Sequence, residues 1–123
     1  MVLLIILIIV LILLDQLTKH FLTTTINYGA AFSILQNQRI FLIIISIIVL
    51  GFCIYYFIKD KDKKQRIALS LIISGTSSNL IDRIFLGYVR DFIDLKIWPV
   101  FNVADSLNCI GVLLLIYFLI KKK

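Results

Sequence analysis

Four long apolar segments, separated by shorter polar ones, dominate the chain. They cover about residues 2–22, 40–58, 67–85 and 103–120. A helix needs about 20 apolar residues to cross a hydrocarbon layer of ~30 Å. None of the segments alternates apolar and polar residues, and each is too long for a strand of a membrane barrel. The pattern predicts an all-α integral membrane protein, with one domain over residues 1–123, four transmembrane helices and two short outer loops.

Basic residues predict how the helices are oriented. Residues 59–66 include five lysines and arginines, and residues 121–123 are all lysine. An excess of Lys and Arg marks the cytoplasmic loops of membrane proteins. Both termini are therefore expected on the cytoplasmic side, with residues 23–39 and 87–102 forming the outer loops.

Composition supports the membrane class and excludes several others. The chain is 61% hydrophobic with a mean hydropathy of +1.05, whereas soluble domains are about 45–50% apolar. The formal charge of +6 does not indicate nucleic-acid binding, because the basic residues cluster at segment ends. Cys53 and Cys109 lie in apolar segments and are expected to pack as small hydrophobic side chains. With one histidine and no metal-ligand spacing, neither a metal nor another cofactor is expected.

The first apolar segment is expected to be a retained span. A cleaved signal peptide has a basic start, a shorter apolar region and a small-residue cleavage site. The chain starts Met1-Val2-Leu3, and Asp15-Gln16 stands where a cleavage site would lie.

Five aspartates fall on the predicted outer side of the membrane, at or near the ends of apolar segments: Asp15, Asp82, Asp91, Asp94 and Asp105. An ionised carboxylate at the centre of a membrane helix costs about 2.5–3.5 kcal/mol on insertion scales. Acids retained in such positions are candidates for function, and several on one membrane face indicate a site.

Helical spacing leaves two interpretations open for the first and third segments. Asp15 and Lys19 are four residues apart, so they form either an ordinary helical ion pair or the support of a polar site. Asn79, Asp82 and Arg83 share a helix face in the same way. Arg83 is either part of a structural ion pair or a ligand for a carbonyl, phosphate or carboxylate group.

The outer loop before the last segment is equally ambiguous on its own. Residues 89–94 are compatible with an extended piece or a single helical turn, and the pattern does not favour Asp91 over Asp94. Asn102 and Asp105 have the spacing of a capping box, which alone would explain both residues.

Two carboxyl groups held together at a lipid edge have a specific chemical use. They cannot both ionise easily, so they share one proton. Such a pair hydrolyses peptide bonds: one carboxylate draws a proton from water while the protonated partner polarises the carbonyl. A histidine-based nucleophile is not expected, because His20 is the only histidine. The small residues after Asn27, starting with Gly29, permit either a turn or a close approach to a ligand.

Five sequence blocks together resemble the lipoprotein signal peptidases (signal peptidase II). They are Asp15-Gln16-x-Thr18-Lys19, Asn27-x-Gly29-Ala30-Ala31-Phe32, Asn79-Leu80-Ile81-Asp82-Arg83, Val89-x-Asp91-Phe92-Ile93-Asp94 and Phe101-Asn102-x-Ala104-Asp105. The resemblance implies an aspartyl endopeptidase of the bacterial cytoplasmic (inner) membrane, with its active site at the outer face. It would remove the signal peptide from diacylglyceryl-modified prolipoproteins, in contact with membrane lipids. A monomer is favoured, although the sequence does not define the oligomeric state.

The same resemblance implies roles for individual residues. Asp91 and Asp105 correspond to the catalytic pair. Substrate-binding or site-supporting positions correspond to Asp15, Asn27, Gly29, Asn79, Asp82, Arg83, Asn102 and Ala104.

The chain also departs from this family. Only residues 20–26 separate the first segment from Asn27, where relatives have a longer stretch that builds a small β-structured platform. Ile26 stands where an arginine is usual, and Ser74 and Ser78 stand where glycines are common.

Two other functions fit parts of the pattern. A small proton-coupled transporter would use Asp15 as a carboxylate within a span. A catalytically inactive adaptor, suggested by the short segment after the first span, would bind lipopeptides without cleaving them.

Overall fold

The computed structural model describes residues 1–123 as four long helices joined by short loops. The helices are α1 (Val2–Leu22), α2 (Arg39–Lys59), α3 (Lys63–Phe85) and α4 (Val103–Lys122). Three of them, α1, α2 and α4, are long and apolar enough to cross a membrane. The expectation of a mostly helical membrane protein is therefore confirmed.

Helix α3 lies at the centre of the bundle, in contact with each of the other three helices. Its small polar residues Ser70, Ser74 and Ser78 are completely buried, whereas Leu3 of α1 and Leu113 of α4 are 80% and 68% exposed. This distribution is inverted relative to a soluble protein, with apolar side chains outside and small polar ones at the helix contacts.

Glycines allow α3 and α4 to pack closely. A β-carbon at Gly75 of α3 would meet the backbone of Ala104, and one at Gly111 of α4 would meet the side chain of Ile72. This close packing brings the start of α4 against the polar second half of α3, where several candidate site residues lie.

A small sheet forms at the end of the bundle that carries the α1–α2 and α3–α4 loops. Strand β1 (Thr25–Asn27) pairs antiparallel with β2 (Val89–Asp91), with Thr25 opposite Asp91. The purely α-helical expectation was wrong in this detail. An extended piece at residues 89–94 was one of two open interpretations, but its pairing with residues 25–27 was not expected, because pairing between distant residues leaves no local pattern. The sheet fixes Asp91 beside the chain that leaves α1.

Candidate active site

Asp91 and Asp105 meet at the side chain of Asn102. Asn102 Nδ2 donates to Asp91 Oδ1 at 2.9 Å. The backbone N–H of Asn102 donates to Asp105 Oδ2 at 3.1 Å, and its Oδ1 accepts from the Asp105 backbone at 2.9 Å. These last two bonds form the capping box that the spacing predicted. Strand β2 and the first turn of α4 thus present two buried carboxyl groups to a common neighbour.

Asn79 of α3 fixes the other oxygen of Asp105. Its Nδ2 donates to Asp105 Oδ1 at 3.0 Å. Its own Oδ1 accepts from Asn102 Nδ2 at 3.0 Å and from Lys19 Nζ at 2.9 Å. Both oxygens of Asp105 are therefore held, and the carboxyl group has a defined orientation.

The surroundings of Asp91 favour its protonated form up to about neutral pH. Burial, followed by the neighbouring charge of Asp105, raises the pKa of Asp91 to about 7, against the lowering effect of hydrogen bonds from Asn27 and Asn102. Asp91 Oδ2 is buried and has no hydrogen-bond partner. A proton on this oxygen is free to be donated to a group that enters the site.

A buried ion network contacts the neighbours of the two acids, through the Asn79 side chain and the Ala104 backbone. Lys19 Nζ lies 2.6 Å from Asp15 Oδ2 and 3.3 Å from Asp82 Oδ2, and the side chains of all three residues are fully buried. Asp15 also accepts from Ser78 Oγ at 2.5 Å and from the Ala104 backbone at 2.8 Å. The predicted Asp15–Lys19 ion pair is confirmed, and it links α1 to both α3 and the start of α4.

Gln16 and Arg90 extend this network, although neither was among the predicted site residues. Arg90 Nη2 lies 2.9 Å from Asp82 Oδ1 and 2.6 Å from Gln16 Oε1. Gln16 Nε2 in turn donates to Asp82 Oδ1 at 3.1 Å. Gln16 belongs to the first sequence block of the resemblance without a role having been assigned to it, and Arg90 stands directly before Asp91 in the sequence.

Charge balance in the cluster leaves room for one proton. The buried acids are Asp15, Asp82, Asp91 and Asp105, and the cations beside them are Lys19, Arg83 and Arg90. Four ionised acids would exceed the three cations by one charge. Because an uncompensated buried charge is costly, neutrality favours one protonated carboxyl group.

Arg83 and Asn27 hold the α1–α2 loop against the site. Arg83 Nη2 donates to the Gly29 carbonyl at 3.2 Å. Asn27 Oδ1 accepts from the Gly29 backbone at 2.8 Å, and its Nδ2 donates to the Ala30 carbonyl at 2.8 Å. Of the two interpretations of Arg83, the structure supports binding of a peptide carbonyl, here within the chain itself.

A cavity of about 180 Å³ opens beside Asp105 between α2, α3 and α4. Asn79, Arg83 and Asp105 line one end of it, and Leu42 and Val49 of α2 form an apolar wall. A larger apolar cleft of about 460 Å³ lies between α4 and the α1–α2 and α3–α4 loops, beside Phe32 and Trp98. Asp105 thus borders the smaller cavity, whereas Asp91 is fully buried beside Asn102.

The sequence model of signal peptidase (SPase) II matches residues 7–121. The chain belongs to the signal peptidase II family. It is an aspartic peptidase of the signal peptidase II type, and membership of this family does not favour the transporter interpretation.

Relatives and solved structures agree with this membership. The lipoprotein signal peptidase of Streptococcus thermophilus is 42% identical over 136 residues, covering 92% of this chain and 89% of the relative. That of Caldicellulosiruptor bescii is 48% identical over 101 residues, covering 82% and 67%. A bacterial membrane enzyme solved by the in meso method at 2.3 Å resolution superposes with a TM-score of 0.89 at 35% identity, covering 96% of this chain and 87% of that one.

The structure brings together almost all the positions expected of a signal peptidase II. Asn79, Asn102 and both candidate catalytic acids form one hydrogen-bonded group, with Asp15, Asp82 and Ala104 behind it. The exception among the five aspartates singled out in the sequence is Asp94, which is exposed and pairs only with Lys96. Geometry therefore separates Asp91 from Asp94, which the sequence pattern alone did not.

Proposed function

We propose that this enzyme removes the signal peptide from diacylglyceryl-modified prolipoproteins, with Asp91 and Asp105 as the catalytic pair. The observation that carries the proposal is the bridging of both carboxyl groups by Asn102, which bonds to Asp91 through Nδ2 and to Asp105 through its backbone N–H. Two acids held by one asparagine, with one proton shared between them, have the chemistry of an aspartic peptidase.

The proposed reaction uses one water molecule and the shared proton. Ionised Asp105 takes a proton from the water, whose oxygen attacks the scissile carbonyl carbon. Protonated Asp91 donates from Oδ2 to the carbonyl oxygen as its negative charge develops. Collapse of the tetrahedral diol breaks the C–N bond, a proton passes to the leaving amine, and the pair again holds one proton.

The supporting residues have distinct roles in this scheme. Asn79 and Asn102 orient the catalytic carboxyl groups through their side-chain amides. Lys19, paired with Asp15 and Asp82, provides positive charge next to Asn79 and anchors α1 to α3. Asn27, Gly29 and Arg83 shape the loop that borders the substrate cavity.

The proposed topology is a single domain with spans at about residues 2–22, 40–58, 67–85 and 103–120. Both termini face the cytoplasm, and the active site lies at the outer face of the bacterial inner membrane. The support is the polarity of the bundle: the basic residues of the α2–α3 loop and the end of α4 lie opposite the loops that carry Asp91 and Asn102. A monomer suffices, since one chain supplies all the residues of the site.

The lipid part of the substrate is proposed to lie along the large apolar cleft. Trp98, Phe101, Cys109 and Ile110 line this cleft together with Phe32. Acyl chains bind through buried apolar area rather than polar contacts. A diacylglyceryl group placed there would be held close to the catalytic pair.

The test is cleavage of a synthetic precursor by the purified enzyme in detergent micelles. One precursor carries a diacylglyceryl group on its cysteine, and a matched precursor lacks it. We expect release of the signal peptide from the lipidated precursor only, with the modified cysteine as the new N-terminus by mass spectrometry. Equal cleavage of both precursors, or binding without cleavage, would contradict the proposed substrate or activity.

A further inference from the structure

The cavity beside Asp105 continues deeper into the bundle along a strip of polar residues. Asn108 lies three residues after Asp105 on α4, and Thr76 lies three residues before Asn79 on α3, so both are about one turn further inward. Ser46 of α2 also lines the cavity. These hydroxyl and amide groups are not needed for the catalytic scheme above, and three polar side chains between apolar helices require an explanation.

The side chain of Asn108 is held in a fixed orientation. Thr76 Oγ1 donates to Asn108 Oδ1 at 3.1 Å. A β-carbon at Gly75 would lie 2.6 Å from the same oxygen, so the glycine makes room for the amide. With Oδ1 occupied by Thr76, the NH₂ group of Asn108 donates to no other residue of the chain. Asn108 lines the cavity, so its NH₂ group is available to donate a hydrogen bond to a bound group.

The chemistry of the strip favours a peptide over an acyl chain. Ile45 and Val49 line the α2 side of the cavity together with Ser46, and Thr76 and Asn108 line the α3 and α4 side. An acyl chain would desolvate the polar strip and return no hydrogen bond. A peptide that must be extended for cleavage has unpaired carbonyl and N–H groups, which are costly inside a membrane unless the protein satisfies them.

We propose that Asn108, oriented by Thr76, binds a main-chain carbonyl of the signal peptide one or two residues before the scissile bond. Three residues of helix advance by about 4.5 Å, and an extended peptide advances by about 3.3 Å per residue. The signal peptide runs inward from the catalytic pair because its own N-terminus is cytoplasmic. The inference rests on the proposed function and names a specificity contact within it.

Two variants test the contact through steady-state kinetics on the lipidated precursor. Asn108→Leu keeps the branched shape of the side chain and removes the donor, and we expect kcat/KM to fall about tenfold, the loss of one hydrogen bond. Thr76→Val releases the amide and should lower kcat/KM about threefold. The control is Ser70→Ala, because Ser70 bonds only to its own helix at the Arg66 carbonyl. The alkaline limb of the pH profile should not move in any of them.

A backbone-modified precursor decides what the contact recognises. In this precursor an alkene replaces the peptide bond one or two residues before the cleavage site, which removes the carbonyl oxygen. The wild-type enzyme should cleave one of the two analogues about tenfold more slowly, and Asn108→Leu should show no further loss with that analogue. The proposal would be overturned if the loss in kcat/KM from Asn108→Leu multiplied the loss from the analogue. It would also be overturned if the effect of the variant depended on the length of the substrate's acyl chains instead.

Should Asn108→Leu not fold, Thr76→Val is tested against the same analogues with the same criterion. Failure of the wild-type enzyme on the unmodified precursor would instead refute the proposed function.

Discussion

Asn102 Nδ2 lies 2.9 Å from Asp91 Oδ1, and the same residue caps the helix that carries Asp105. The start of α4 and the geometry of the catalytic pair are therefore coupled through one side chain. The capping oxygen and the donating nitrogen belong to opposite ends of its amide, so the two roles can be separated by substitution.

Asn102→Ser should retain most of the helix cap and lose the donor to Asp91. Serine and asparagine are comparable N-caps, so α4 should still form. Because the lost hydrogen bond lowers the pKa of Asp91 in the native enzyme, the alkaline limb of the kcat/KM profile should move to higher pH. We expect kcat/KM to fall by at least about tenfold, because the bonds from Asn102 Nδ2 to Asn79 Oδ1 and to the Arg90 carbonyl are lost together with the bond to Asp91.

The control for this variant is Asn102→Ala, which loses both roles. It should show an additional loss of stability of about 0.5–2 kcal/mol from the missing cap. An Asn102→Ser enzyme with unchanged activity and an unchanged pH profile would show that the Asn102–Asp91 contact has no catalytic importance.

Activity should depend on pH through Asp91. Its pKa of about 7 is raised above the usual value of an aspartate, so the protonated form is present below pH 7 and is lost as the pH rises through that value. If this form is the acid in catalysis, kcat/KM should decrease about tenfold per pH unit above neutral. The measurement is kcat/KM from pH 5.5 to 9, and a rate that stays constant to pH 9 would refute the shared proton.

Stability should titrate at lower pH than activity. The folded chain holds the Asp91 proton up to a pKa of about 7, whereas an unfolded aspartate loses its proton near about 3.9. The stabilisation from this group is therefore fully present below about pH 4 and is lost as the pH rises to about 7. The midpoint of thermal unfolding in micelles should decrease between about pH 4 and 7, with no further contribution from Asp91 above neutral pH, where activity falls.

Lys19→Met should strongly destabilise the protein. Lys19 contacts Asp15 and Asp82 in a fully buried network, and removing one partner of a buried ion pair costs about 3–5 kcal/mol because charge is left uncompensated. Denaturant titration in mixed micelles measures the loss. Lys96→Met is the matched control, since Lys96 pairs with Asp94 on the surface and is 85% exposed. Equal behaviour of the two variants would mean that the buried network does not hold the bundle together.

Much of the fold follows from the sequence because length and hydropathy constrain membrane helices strongly. The helix boundaries of α1 and α4 lie close to the predicted apolar segments, and the cap at Asn102 was predicted from its spacing to Asp105. The short strands β1 and β2 were not predicted as a sheet, since pairing between residues more than sixty positions apart leaves no local pattern.

The site was predicted only in part. The grouping of Asp15, Asp82, Asp91 and Asp105 on one face was expected, and the resemblance implied which pair is catalytic. Contacts made by Ser78 and Asn108 were not expected, because a single serine or asparagine within a span carries no pattern until the partner helix is known. Ser78 stands where glycine is common in the family, and its hydroxyl bonds to Asp15 rather than merely filling space.

The catalytic roles of Asp91 and Asp105 are tested by hydrolysis of a diacylated precursor by Asp91→Asn, Asp105→Asn and the double variant. Each single variant should lose a factor of about 10²–10⁴ in kcat, the range for positioned acid–base groups. The double variant should be only slightly slower than the less active of the two single variants, because the two acids act as a unit. Asp94→Asn is the control and should retain wild-type activity, since Asp94 contacts only Lys96. Full activity in either Asp91→Asn or Asp105→Asn would contradict the assignment of these two residues as the catalytic pair.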